Sequence, residues 1–109
     1  MNFTEYQNVA LSTAIYPKKY ETIYPALGLC GEAGEVAEKV KKSIRDGLDY
    51  WQEKQFKEDL TKELGDVLWY ISALASDLDI SLNEIAENNV QKLASRKKRN
   101  MIGGSGDNR

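Results

Sequence analysis

The chain has 109 residues, a formal charge of −2, one cysteine and no histidine; that length suits one domain with a modest core, so assembly into an oligomer is expected. A lone Cys30 excludes an internal disulfide, and the lack of histidine removes the usual general base and the usual zinc ligand. The near-balanced charge gives no electrostatic case for nucleic-acid binding, and no leader or membrane-spanning apolar run is visible, so a soluble, cytoplasmic protein is expected.

Only two prolines interrupt the chain, and no strand-like alternation appears, which predicts an all-α fold. A first helix is expected over residues 4–15, opened by a Thr4/Gln7 capping box and stopped before Pro17. A loop carrying Tyr16, Tyr20 and Tyr24 follows. The second helix is expected from Pro25, which suits a first turn, to Arg45, with Asp46-Gly47 as its stop. The connection after it holds Leu48, Tyr50 and Trp51, aromatic residues suited either to ligand stacking or to packing on the bundle end. The third helix is expected over residues 53–78. The fourth starts at the Ser81/Glu84 capping box and runs to Lys98. Residues 1–100 read as one helical domain and residues 101–109 as a disordered Gly-rich tail.

Four carboxylates fall into two matched pairs. Glu32 and Glu35 lie in GLCGEAGEVAEKV, and Glu63 and Asp66 lie in TKELGDVLWYI. Spacing of i,i+3 puts each pair on one side of its helix. Phe56, Leu60, Leu64, Val67, Ile71, Leu74 and Leu78 form an apolar stripe on the third helix, with Glu63 just inside its edge and Asp66 and Tyr70 flanking it. A carboxylate on a buried face costs several kcal/mol unless paired or metal-bound, so Glu63 requires a partner. Two facing pairs of acids require a compensating charge, and a hard divalent cation suits all-oxygen ligands. Solvated acids are the plainer alternative, with Lys39 four residues after Glu35 and Lys62 adjacent to Glu63 as their partners. Gly28, Gly31 and Gly34 share the second helix with the first acidic pair. Each costs about 0.5–1 kcal/mol against alanine there, which points to close approach of another backbone or a ligand. On the fourth helix Asn89, Lys92 and Arg96 step along one side, a donor and two cations suited to a phosphate chain or simply to a solvated basic end.

At these residues the chain resembles a known family. GEAGEVAEKV followed by KELGDVLWYI is similar to the MazG-like nucleoside triphosphate pyrophosphohydrolases of the all-α NTP pyrophosphatase superfamily, over about residues 3–98. The family pattern is E-E-x-x-E, a gap, then E-x-x-D. Glu32, Glu35, Glu63 and Asp66 match its last two and first two acids, while Gly31 stands where the first Glu would be and Glu38 lies one turn beyond. Asn89, Lys92, Leu93 and Arg96 match N-x-x-K-L-x-x-R. The resemblance implies an antiparallel bundle of about four helices, assembled as a homodimer or homotetramer. It implies Mg²⁺, with Mn²⁺ as an alternative, held by the catalytic carboxylates Glu32, Glu35, Glu63 and Asp66. It implies substrate contacts from Asn89, Lys92 and Arg96 to phosphate and from Tyr70 near the base. The reaction implied is hydrolysis of a nucleoside triphosphate to a monophosphate and pyrophosphate in nucleotide-pool cleaning. Phosphoribosyl-ATP pyrophosphohydrolase is the enzymatic alternative, and a non-catalytic, metal-binding dimerisation or regulatory module is the alternative of another class.

Overall fold

Asn2 starts the first helix: its Oδ1 accepts from the Glu5 backbone N–H and its Nδ2 donates to the Glu5 carboxylate, both at 2.8 Å. The computed structural model describes residues 1–47 and 53–109. Within them lie four α-helices, α1 (Phe3–Leu11), α2 (Ile23–Asp46), α3 (Lys54–Asp77) and α4 (Leu82–Lys98), and one 3₁₀ turn at Lys18–Tyr20. The chain is all-α and the helices pack as a bundle. The Leu48, Tyr50 and Trp51 segment lies outside the described residues.

Two local expectations change. The α1 cap is Asn2 with Glu5, not Thr4 with Gln7. Gln7 instead ties α1 to the α3–α4 turn: its Nε2 donates to Ser76 Oγ (3.1 Å) and the Ile80 carbonyl (2.9 Å), and its Oε1 accepts from the Leu82 N–H (2.8 Å). The helix also stops at Leu11, because the hydroxyls of Ser12 and Thr13 turn back onto the Val9 and Ala10 carbonyls. The α4 cap is as expected, with Ser81 Oγ accepting from the Glu84 N–H.

The α2–α3 pair is the spine of the molecule. Each helix has 24 residues, about 36 Å of length at 1.5 Å per residue. Their neighbours run in opposite senses: Gly28 meets Tyr70, Glu32 meets Glu63 and Asp66, and Asp46 shares a cleft with Phe56. The two helices are therefore antiparallel. Gly28 is required for this approach, since a Cβ there would drive into the Tyr70 ring. Gly31 and Gly34 have open space beside them, so within the protomer only one of the three glycines serves close packing.

Among the described residues the buried apolar side chains include Ala10, Pro25, Phe56, Ala73, Ala75 and Leu82. The predicted α3 stripe is thus buried unevenly: Phe56 is 3 % exposed, but Leu64 is 57 % and Leu78 50 % exposed. Small residues at 72, 73 and 75 face the interior instead, where α1 and α4 cross α3. After α4 the chain turns at Asn100, which has φ +56°. It then folds back. Arg109 donates to the carbonyls of Ile102, Gly103 and Gly106, and Arg96 to those of Gly106 and Asp107.

Candidate metal and nucleotide site

Midway along the α2–α3 pair, Glu32 faces Glu63 and Asp66 across the helix interface. One carboxylate oxygen from each lies within 4.8 Å of the others. Such crowding is electrostatically unfavourable without a cation. Its mark is on Glu32, whose carboxyl pKa is raised by desolvation and by the charges of Asp66, Glu63 and Glu35. The partner that Glu63 requires is Lys39, whose Nζ stands 3.7 Å from Glu63 Oε1, with the Glu63 side chain only 18 % exposed. Lys39 lies seven residues after Glu32, two turns along the same face, and this spacing was its one signal in the sequence; the i+4 relation to Glu35 pointed elsewhere. An all-oxygen donor set with one lysine beside it fits a hard divalent cation such as Mg²⁺ and is a poor match for zinc.

Glu35 stands apart from this cluster. It is exposed and lines a neighbouring cleft of about 230 Å³ with Lys39, Lys42, Arg45 and Phe56. Glu38, one turn on, pairs with Lys41 at 2.7 Å and with Lys42 at 4.0 Å, and these cations hold its carboxyl below the usual range.

Aromatic residues close one end of the cluster. Tyr70 lies against Gly28, and its hydroxyl pKa is raised by burial, by Tyr24, and by the charges of Glu32 and Asp66. Trp69 meets Tyr70 edge-on at 5.0 Å and donates from Nε1 to Thr13 Oγ1 at 2.8 Å. Tyr6 of α1 is raised by burial and by Asp66. Nothing in the sequence connected Tyr6 with the acids, because the link is made only by the packing of α1 on α3.

Asn89, Lys92 and Arg96 lie on α4, which packs on α1 and α3. Asn89 and Lys92 are exposed. Arg96 is 6 % exposed; its guanidinium donates to two backbone carbonyls, and its Nε is buried without a partner. Among the described residues, none of the three forms a hydrogen bond or ion pair with Glu32, Glu63 or Asp66.

The sequence that builds this pair of antiparallel helices with facing carboxylates matches a known family. The model of the MazG nucleotide pyrophosphohydrolase domain matches residues 19–101. The chain belongs to the MazG family. That span includes all three clustered acids, Tyr70 and the α4 residues. Similar, too, is the Gene 37 protein of Mycobacterium phage L5, 46 % identical over 115 aligned residues that cover the whole of both chains. No solved structure matches. As a MazG protein the chain falls in a class that acts on nucleotides, and the acidic cluster lies within the part that defines the class. No helix among the described residues is long and apolar enough to cross a membrane.

Proposed function

We propose that this MazG protein hydrolyses nucleoside triphosphates to a nucleoside monophosphate and pyrophosphate, with Mg²⁺ bound by Glu32, Glu63 and Asp66. The observation that carries the reading is the convergence of three carboxylates within 4.8 Å, in a chain that belongs to a family of nucleotide pyrophosphohydrolases. A bound divalent cation supplies charge neutralisation to the phosphates and acidifies water. The protein's own groups do the rest. Glu32, Glu63 and Asp66 would hold that ion. Glu35 is one turn from Glu32 and open to solvent, so it takes the proton of the attacking water as the α–β anhydride bond breaks. The electron pair of that bond departs with whichever phosphate fragment the water does not attack.

Lys92, Asn89 and Arg96 hold the outer phosphates in this scheme. Asn89 and Lys92 are exposed for this contact, whereas the Arg96 guanidinium, bonded to the Gly106 and Asp107 carbonyls, would have to leave them to reach a phosphate. These side chains do not bond to the acids of their own protomer, so we assign the active form to a homodimer or homotetramer in which α4 meets a neighbour's acidic cluster. The biological role that fits is removal of surplus or non-canonical nucleotides from the cytoplasmic pool.

Product analysis tests the reading. Canonical and modified NTPs and dNTPs, and phosphoribosyl-ATP, are incubated with the protein and Mg²⁺. Monophosphate and pyrophosphate in equal amounts from at least one nucleoside triphosphate are expected. Turnover of phosphoribosyl-ATP alone would replace the proposed substrate class, and a diphosphate with orthophosphate would refute the cleavage site.

A further inference from the structure

The acidic cluster accounts for a phosphate chain but not for what the nucleotide carries at its other end. A row of tyrosines begins where the acids stop. Tyr70, beside Glu32 and Asp66, stands 6.4 Å from Tyr24, and Tyr24 stacks on Tyr16 at 4.9 Å with the rings 17° from parallel. The row leads away from the acids along the start of α2. Tyr24 remains 45 % exposed despite both contacts, so the residue stays accessible beside a polar site.

The segment that sets this row is held at both ends. Asp77 Oδ2, at the C-terminus of α3, accepts from the Tyr16 hydroxyl and from the Thr22 backbone N–H, each at 2.8 Å. Thr22 is held at φ +70° and ψ −50°, the centre of a tight γ-turn closed by the Ile23 N–H on the Glu21 carbonyl at 2.8 Å, a strained conformation that a β-branched residue rarely adopts. Strain of this kind persists where the surroundings over-determine it, and it gathers at ligand clamps. At the other end Trp69 fixes Thr13. An exposed, pre-positioned aromatic surface next to an anion-handling site suits a flat π-faced ligand, and every nucleobase offers such a face.

We propose that Tyr24, backed by Tyr16, is the platform on which the substrate's nucleobase stacks, and that Asp77 is the positioning residue that sets it. The proposal rests on the nucleotide reading of the acidic cluster and extends it to the base. Stacking of this type accepts any base face, so the platform favours nucleotides over base-free polyphosphates more than it separates one base from another.

The test is equilibrium binding to the full chain with Mg²⁺. The ligands are α,β-imido nucleoside triphosphates with each of the four bases and, as the base-free control, inorganic tripolyphosphate. Wild-type protein is expected to prefer the base-bearing ligands. Tyr24→Leu, with Tyr24→Met as a second variant should the first not fold, is expected to weaken them by about tenfold while leaving tripolyphosphate within about twofold. Tyr24→Phe and Tyr24→Trp keep the preference. Asp77→Ala loses it and Asp77→Asn, which retains an acceptor oxygen, restores it. Equal weakening of both ligand types, or no change in either, overturns the proposal. Tyr24-dependent binding of the analogues without Mg²⁺-dependent hydrolysis of the natural triphosphates would sink the pyrophosphohydrolase reading and leave the platform standing. Hydrolysis with a base preference indifferent to Tyr24 would do the reverse.

Discussion

Glu32 carries the electrostatic cost of the site. Its carboxyl pKa is raised above the ordinary 4.5 by desolvation and then by Asp66, Glu63 and Glu35. Between the ordinary and the raised value, the folded chain holds a proton that the unfolded chain has released. The contribution of Glu32 to metal-free stability is therefore fully present below the ordinary value and is lost as pH rises through the raised one. Glu38 and Asp46 act in the opposite sense, because Lys41 and Arg45 respectively depress their carboxyls. The informative quantity is thus the difference between wild type and Glu32→Gln. In EDTA, melting temperatures measured from about pH 4 to 8 are expected to show wild type losing ground to Glu32→Gln as pH rises. A gap that is flat or closes with rising pH contradicts the crowding of the three acids. Mg²⁺ should reverse the penalty, since an ion that binds only the folded state stabilises it by about 2.7 kcal/mol at a hundred times its Kd. A melting temperature that Mg²⁺ fails to raise in wild type, at concentrations that support turnover, would count against the cluster as its site.

At the scale of the helices, α2 makes a contrast between glycines that looked alike in the sequence. Gly28 is filled by the Tyr70 ring, whereas Gly31 and Gly34 face open space in the protomer. Gly28→Ala should cost about 1–3 kcal/mol through displacement of Tyr70. Gly31→Ala and Gly34→Ala should instead gain about 0.5–1 kcal/mol each in protomer helix stability. Urea unfolding followed by circular dichroism measures all three, and a neutral Gly28→Ala would contradict the close approach of α2 and α3. Much of this architecture was legible beforehand. The helical period of α2, α3 and α4 and the Ser81 cap are local signals that the structure carries, and of the four acids it brings Glu32, Glu63 and Asp66 together. What was not legible depends on distant partners. Gln7 read as a cap residue because its neighbours fit the pattern, yet its amide serves the α3–α4 turn more than seventy residues away. Lys39 read as a partner for Glu35 by spacing, but the antiparallel pairing with α3 gives it to Glu63. Glu35 read as an equal member of the acidic set, although its side of α2 turns toward the neighbouring cleft.

The whole molecule is more open than a finished domain of its length. Its radius of gyration is 16.8 Å, against about 13 Å for a compact chain of this size. Leu27, Ile44, Leu64 and Val90 are each more than half exposed, at 70, 58, 57 and 65 %. On α2, Leu27, Cys30, Ala37 and Ile44 recur at helical spacing along one exposed face. Apolar surface of this extent is what a subunit presents before assembly. Sedimentation equilibrium of the full chain is therefore expected to give a dimer or tetramer mass rather than 12.3 kDa, and Leu27→Asp or Ile44→Asp to shift it toward the protomer. A 12.3 kDa species at concentrations where the wild type is active would contradict assembly as a condition of activity. Under the proposed function, the Glu32, Glu63 and Asp66 cluster makes this MazG protein a metal-dependent pyrophosphohydrolase. The most direct test is pyrophosphate release from the best triphosphate of the panel, with Mg²⁺ and with EDTA, by wild type, Glu63→Gln and Asp66→Asn. Wild type is expected to release pyrophosphate only with the metal, and each variant to lose about 100-fold or more of that rate while staying folded. Folded variants that turn over at the wild-type rate, or wild-type turnover indifferent to EDTA, would contradict it.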